Sequence, residues 1–311
     1  MKLDVVDLFS GAGGMSRGFS NAGFDILGAF ENWGPAIELY GKNFDHPVFA
    51  SDLSDVESVT KKIITLSPNI IIGGPPCQDF SSAGKRDENL GRATLTIHYA
   101  EIIRQIRPEY FVMENVQRAR NSTSVSIAKD ILRKSGYGIT QVVLNACLCG
   151  VPQKRNRYFM IGELNGMDNV LEERLIDNLS NNPITLREYF DDELDFEHYY
   201  RHPRSYKRRA VFSIDEPSPT IRGVNRPVPD GYPGHPGDTA PISKKIRVLT
   251  TRERAQIQTF PDDFLLEGTK TNLEQMIGNA VPVKLAEYVA TQLQNHIISK
   301  GQVRAKEKYA V

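Results

Sequence analysis

Six short apolar runs, at residues 3–9, 24–30, 69–72, 110–113, 139–144 and 158–161, are spaced through the first half of the chain with helix-like stretches between them. A strand that is apolar at consecutive rather than alternate positions is buried on both faces, and such strands belong to parallel sheets flanked by helices. The β-α-β-α alternation therefore predicts an α/β fold with a doubly wound, mostly parallel sheet of Rossmann-like type. Ligands of such sheets sit beyond the carboxyl ends of the strands, so residues that follow the apolar runs are the candidates for chemistry.

Past Gly162 the texture changes. Pro183, Pro203, Pro217, Pro219, Pro227, Pro229, Pro233, Pro236 and Pro241 interrupt every periodic pattern, which reads as a smaller, loop-rich region. Helical signals return near Thr251. A final helix over 283–298 places Ala286, Val289, Leu293 and Ile297 on one face, to pack back onto the first domain. The last residues, 299–311, are charged and aperiodic and are expected to form a solvated tail.

At 311 residues and 40% hydrophobic content the chain can bury a substantial core. Lys plus Arg and Asp plus Glu both number 38, so no global field draws it to a polyanion, and any nucleic-acid surface must arise from local charge segregation. The N-terminal residues lack the apolar core of a signal peptide, and no apolar run is long enough to span a bilayer. A soluble, cytoplasmic protein without membrane association is expected. Three cysteines, Cys77, Cys147 and Cys149, are too few for a disulfide framework or for the roughly four ligands of a zinc site.

Asp7-Leu8-Phe9-Ser10-Gly11-Ala12-Gly13-Gly14 follows the first run and opens a helix, a place where glycines allow backbone to approach a nucleotide-like ligand. Position 16 is Ser, so the spacing is not that of the dinucleotide fingerprint, and a mononucleoside site fits better than a dinucleotide one. Glu31 ends the second run, where an acid can accept from ribose hydroxyls, and Asp52 is placed to meet an adenine amino group. In Gly73-Gly74-Pro75-Pro76-Cys77-Gln78-Asp79-Phe80-Ser81, glycines and prolines make a rigid turn that presents one thiol at the sheet edge. Glu114-Asn115-Val116 emerges on the same edge, with a carboxyl suited to acid or hydrogen-bond work.

Strand alternation in Gln153-Lys154-Arg155-Asn156-Arg157 turns Arg155 and Arg157 to one face, suited to phosphate or base contact. Residues 198–209 hold five Arg or Lys (Arg201, Arg204, Lys207, Arg208, Arg209), three Tyr and no acid, the local segregation a neutral total requires of a nucleic-acid binder.

The ordered set resembles the C5-cytosine DNA methyltransferase family of bacterial type II restriction-modification systems. It comprises Asp7-Leu-Phe-Ser-Gly-Ala-Gly-Gly, Glu31, Asp52, Gly74-Pro-Pro-Cys-Gln, Glu114-Asn-Val, Gln153-Lys-Arg-Asn-Arg, Arg252-Glu-Arg-Ala and Gly278-Asn-Ala-Val-Pro, over nearly the whole chain. The resemblance implies a fold that uses S-adenosylmethionine and releases S-adenosylhomocysteine, with Phe9, Gly11, Gly13, Gly14, Glu31, Asp52, Leu53, Pro75, Asn279 and Val281 around the cofactor. It implies Cys77 as nucleophile, with Glu114, Arg155 and Arg157 at the target base. It divides the chain into a catalytic domain (1–192 and 272–311) and a target-recognition domain (193–271), with double-stranded DNA in the cleft between them. Thr220-Ile221 resembles the family's recurring Thr-plus-aliphatic pair. Gln78, Ser81, Arg201, Arg204, Lys207, Arg208, Arg209, Thr220, Ile221, Arg222 and Arg226 are the residues expected to touch DNA, with Arg222 and Arg226 placed to read guanine edges. One departure is Arg92-Ala93-Thr94-Leu95, where the family carries Arg-Gly before a Leu.

Carbon 5 of cytosine is too weak a nucleophile to attack a sulfonium methyl; thiolate addition at carbon 6 makes the ring an enamine that can. The attack comes from above the ring plane, so the base must be flipped from the stack, at a cost of a few kcal/mol. Expected partners are double-stranded DNA and, functionally, a cognate restriction endonuclease; the site of action is the bacterial nucleoid, and a monomer suits a cleft that encloses DNA. Three rivals compete: an RNA cytosine-5 methyltransferase, a DNA-binding regulator that has lost catalysis, and an NAD-dependent oxidoreductase, against which the missing third glycine argues.

Overall fold

The computed structural model describes residues 3–76, 94–191 and 193–309, with side chains as far as residue 302. Cys77, Gln78 and Ser81 lie outside the described residues. The strands of the first half are β1 (Asp4–Leu8), β2 (Asp25–Glu31), β3 (Val48–Ala50), β4 (Ile70–Gly73), β5 (Tyr110–Val116), β6 (Tyr137–Asn145), β7 (Gln153–Lys154) and β8 (Asn156–Leu164). All but β7 form one seven-stranded sheet, in the order β3-β2-β1-β4-β5-β8-β6. Neighbouring strands from β3 to β5 run parallel, and β8 inserts antiparallel between β5 and β6.

The consecutive apolar runs are buried in the manner expected of a covered sheet. Ile70 and Ile72 face one core, with Val5 and Val112, while Ile71 faces the other, with Val6, Phe111 and Met113; all are fully buried. Each such side chain contributes about 1.5–3 kcal/mol relative to exposure. The first core is closed by α1 (Gly14–Asn21), α6 (Glu172–Asp177) and α10 (Val283–Tyr309), and the second by α3 (Val56–Leu66), α4 (Thr94–Ile106) and α5 (Thr123–Lys134). On α10, Ala286, Val289, Leu293 and Ile297 are all buried against the first face.

The tail departs from expectation. Helix α10 runs without a break to Tyr309, because Glu163 of β8 grips it from the sheet by bonds to His296 (2.9 Å) and Lys300. Burial alone raises the Glu163 carboxyl, but the bonds from His296 and Lys300 outweigh it and hold it near pKa 2.

A third core joins α2 (Gly34–Asn43) of the first half to the later α7 (Leu186–Phe190), α8 (Thr251–Ile257) and α9 (Lys270–Asn279), with Leu39, Phe190, Ile221, Ile257 and Ile277 sharing it. Helix α8 starts at a capping box in which Thr250 and Glu253 satisfy each other's backbone N–H groups. The proline-rich stretch holds only short strands: β9 (His198–Tyr200), β10 (Val211–Ser213) and β12 (Arg247–Val248) in one small sheet, and β11 (Ser218–Pro219) paired to β7. That last pairing ties the proline-rich stretch to the basic motif at 153–157.

Candidate active site

At the end of β1 the chain turns at Phe9, whose φ of 59° is left-handed. The N–H groups of Phe9 and Ser10 both donate to Phe30 O, at 2.9 and 3.3 Å. Gly11 N–H donates to Oε2 of Glu31 (2.9 Å), while Oε1 accepts from the N–H groups of Asn32 and Trp33, each at 2.9 Å. Glu31 thus joins the glycine loop to the start of α2. Gly14 has to be glycine: a Cβ there would lie 2.1 Å from Val281 O, so only glycine lets the 279–281 segment lie against the loop.

Asp52 is exposed just past β3, and two bonds from Ser54 hold its carboxyl below the ordinary range, keeping it an acceptor at neutral pH. Leu53 is buried beside it. Phe9, Glu31 and Asp52 therefore stand at or beside the carboxyl ends of three adjacent strands. At Gly11 the space a Cβ would occupy is open. An open glycine face with two carboxylates at the ends of the neighbouring strands fits a nucleoside with ribose hydroxyls and an exocyclic amine.

Beneath this loop runs a buried polar chain. Ser16 Oγ donates to Oδ2 of Asp7 at 2.6 Å, Tyr40 Oη donates to Ser16 Oγ at 2.7 Å, and Tyr40 Oη meets His46 Nε2 at 2.6 Å. Burial pushes the Asp7 carboxyl up to about 7, against the Ser16 bond that lowers it and helped by the charge of Glu31. A group whose folded pKa is raised stabilises the fold fully below its unfolded value, and that stabilisation is lost as pH rises through the folded value. Between about pH 4 and 7 the wild-type protein should therefore lose stability through Asp7, on the order of 4 kcal/mol. Asp7→Asn should flatten that part of the profile in thermal melts from pH 4.5 to 8; parallel profiles for the two proteins would remove Asp7 as its source.

A second cluster is assembled from the turn after β4 and from β5 and β8. Glu114, 7% exposed, forms an ion pair with Arg157 (Oε1 to Nε, 2.7 Å). A Cβ on Gly74 would stand 3.3 Å from Oε2 of Glu114, so this carboxylate lies against the turn that leads into Cys77. Asn115 Nδ2 donates to Pro75 O at 3.2 Å and fixes the same turn from the next residue of β5. Burial raises the Glu114 carboxyl, and the charges of Arg157 and Arg155 oppose it. The net direction is upward.

Arg155 is turned inward. Only 1% exposed, it donates to Ile221 O, Gly278 O and Ala280 O, each at 3.0 Å. Gln153 joins it: its Oε1 accepts from Ile221 N–H (2.9 Å), and its Nε2 donates to Gln258 Oε1 (2.7 Å), whose own amide reaches Ile277 O and Ala280 O. Thr220 Oγ1 donates to Lys154 O at 2.8 Å. The motif at 153–157 thus clamps the Thr220-Ile221 segment and the 278–281 segment together.

The model of the family described as C-5 cytosine-specific DNA methylase matches residues 3–295. The chain belongs to this family. The methylase is 55% identical over 297 residues to the Type II methyltransferase M.HindV of Haemophilus influenzae, covering 94% of this chain and 97% of that one. It is 54% identical over 299 residues to the Type II methyltransferase M.HgiDI of Herpetosiphon aurantiacus, covering 95% of each. Among solved structures, the S. pombe Dnmt2 methyltransferase superposes with a TM-score of 0.72 at 19% identity, covering 96% of this chain and 99% of that one, and shares the fold. The methylase is a DNA (cytosine-5-)-methyltransferase of type II kind, and the oxidoreductase, RNA-enzyme and silent-regulator readings fall away.

In the proline-rich stretch of the methylase, Arg204, Lys207, Arg208 and Arg226 are exposed. Arg201 is drawn inward to donate to Thr220 O at 2.7 Å, and Arg209 pairs with Glu216 at 2.5 Å while lying over the Phe212 ring. Ile221 is buried, and Arg222 donates to His202 O. Sequence reasoning overlooked Gln153, Gln258 and Asn115 as positioning residues. Gln153 and Asn115 stand inside the quoted motifs, but their partners are brought near only by the fold. Among the described residues no helix is long and apolar enough to cross a membrane.

Proposed function

We propose that the methylase uses S-adenosylmethionine to methylate carbon 5 of a cytosine flipped out of a short specific site in double-stranded DNA, through a covalent bond from Cys77, leaving S-adenosylhomocysteine. The observation that carries this reading is the convergence, on one sheet edge, of the Gly74-Pro75-Pro76 turn, the Glu114–Arg157 pair and the glycine loop. The sulfonium supplies an electrophilic methyl when bound. Phe9, Gly11, Gly13, Gly14, Glu31, Asp52, Leu53, Pro75, Asn279 and Val281 are the residues assigned to hold it.

The Cys77 thiolate adds to carbon 6 of the ring, and the displaced electron pair makes carbon 5 an enamine carbon. Glu114 delivers a proton or hydrogen bond to ring nitrogen 3 as charge builds there, and Arg157 orients that carboxyl. After methylation, loss of the proton on carbon 5 expels Cys77 and restores the aromatic ring. Arg155 acts through the backbone it holds, as a positioning residue. The exposed Arg204, Lys207, Arg208 and Arg226, with Thr220, are the described residues assigned to contact DNA, and Gln78 and Ser81 keep the same assignment from the sequence alone. The enzyme works as a monomer on nucleoid DNA in the bacterial cytoplasm and protects it from a cognate endonuclease.

Incubation with unmethylated DNA and S-adenosylmethionine, followed by nucleoside mass spectrometry, should yield 5-methylcytosine; its absence from DNA methylated by no other enzyme would overturn the reaction. Glu114→Gln should slow transfer by about 10²–10⁴-fold, the span of general acid catalysis, without lowering the melting temperature in proportion. Turnover equal to the parent would take Glu114 out of the mechanism.

A further inference from the structure

Four arginines and a histidine crowd the junction between β9 and the segment that follows β11. Arg201 and His202 come directly after β9; Arg222 follows Thr220-Ile221, and Arg204 and Arg208 stand on the rim. Arg254 of α8 lies below, with Glu274 as its carboxylate partner at 2.5 Å. Among the described residues no carboxylate pairs with Arg201, Arg204, Arg208 or Arg222, and the buried Nε of Arg222 makes no hydrogen bond. Arg201, Arg222 and Arg254 line one small depression with Ser218 and Asn225.

This is an unusual store of like charge. Burial first, then the charges of Arg222, Arg254 and Arg204, against an opposing contribution from Tyr199, lower the Arg201 pKa to about 9. Burial and then Arg204, Arg254 and Arg208 act the same way on Arg222. Half-buried cations without a counter-charge are costly, and an anion that enters removes the cost. Guanidinium groups offer forked donors that match phosphate oxygens. Each of these two arginines already gives one nitrogen to a backbone carbonyl, Arg201 to Thr220 O and Arg222 to His202 O, so each is fixed in place rather than free to sweep a groove.

We propose that Arg201, His202 and Arg222 form a socket for a backbone phosphate of the substrate duplex, so that Arg222 supplies charge to binding and does not select a base. This revises the guanine-reading role that the sequence suggests for Arg222 and leaves Arg226, exposed four residues on, as the arginine aimed at base edges. It rests on double-stranded DNA being the substrate.

The test is duplex binding by the full chain between 50 and 200 mM KCl, read by fluorescence anisotropy, with methylated sites mapped by sequencing. Arg222→Gln should weaken binding by a similar factor on every duplex and make the log–log salt slope shallower by about 0.9, so the loss shrinks by about 3- to 4-fold over that range. The set of methylated sequences should not change, and Arg222→Lys should keep the parent slope. Relaxed selectivity at one base pair with an unchanged slope would make Arg222 a base reader and overturn the socket. A lowered melting temperature with slope and sequence both unchanged would make it purely structural and also overturn it. If the glutamine variant does not fold, the wild-type protein should still melt higher in inorganic phosphate than in chloride of equal ionic strength; equal melting temperatures would count against the socket. A wild-type protein that binds no duplex at any salt would instead overturn the DNA reading itself.

Discussion

Cys77→Ala protein will transfer no measurable methyl group to DNA, a loss of about 10⁴- to 10⁶-fold, the scale that follows removal of a covalent nucleophile. The same protein will still bind S-adenosylhomocysteine, because the residues assigned to the cofactor lie at the end of β2, in the segments that follow β1 and β3, and at 279–281, apart from Pro75 on the turn. In the proposed mechanism alanine removes the atom that adds to carbon 6. Single-turnover transfer of labelled methyl, with calorimetric titration of S-adenosylhomocysteine, separates the two effects. Transfer at more than a thousandth of the parent rate would falsify the covalent route, and loss of cofactor affinity alone would show that residue 77 shapes the cofactor pocket instead.

Arg155→Ala will unfold the junction between the two halves of the site. It strips the donor from three carbonyls, Ile221 O, Gly278 O and Ala280 O, in a place water reaches poorly. An unsatisfied buried acceptor costs about 1–3 kcal/mol, and with partial relaxation the three together cost about 3–5 kcal/mol. That corresponds to a fall in melting temperature on the order of 10 °C. Because Val281 O lies against Gly14, the KM for the methyl donor should rise along with the Kd for DNA, while kcat at saturation changes less. Arg155→Lys keeps the charge but not the fork and should recover only part of the loss. A melting temperature within about 2 °C of the parent, a shift worth roughly 0.5–1 kcal/mol, would show that the clamp is dispensable.

The strands were legible because consecutive apolar residues leave few alternatives. The run at 69–72 appears as β4, Ile70–Gly73, and the run at 139–144 as the centre of the longer β6, Tyr137–Asn145. The ends of β6 hold Tyr137 and Asn145, whose pairing with Leu164 and Asn156 across the hairpin extends the strand beyond its apolar core. The short strands of the recognition region were not legible, since two or three residues between prolines carry no period. β11 exists because Gln153, Lys154 and Arg155 hold the backbone around it from more than sixty positions away. Local alternation paired Arg155 with Arg157, and both do act on Glu114, but it gave no sign that Arg155 would be drawn inward by carbonyls of two distant segments. Likewise, charge at 299–309 read as solvation, whereas Glu163 offers Lys300 a buried partner and the helix continues.

The clamp also defines a seam for exchange of recognition regions. Inside residues 193–271, the main-chain groups that the basic motif grips are confined to 218–221, and Gly223 follows at once, packed so closely on Gly278 that a Cβ on the latter would lie 2.3 Å from Gly223 N. A chimera that receives other loops must therefore keep the stretch from Ser218 to Gly223, and Gln258 with it, as host sequence, because these are the groups the clamp holds. The motif at 153–157 thus sets where this chain can be cut and rejoined: a junction inside the gripped stretch separates partners that hold each other across more than sixty positions.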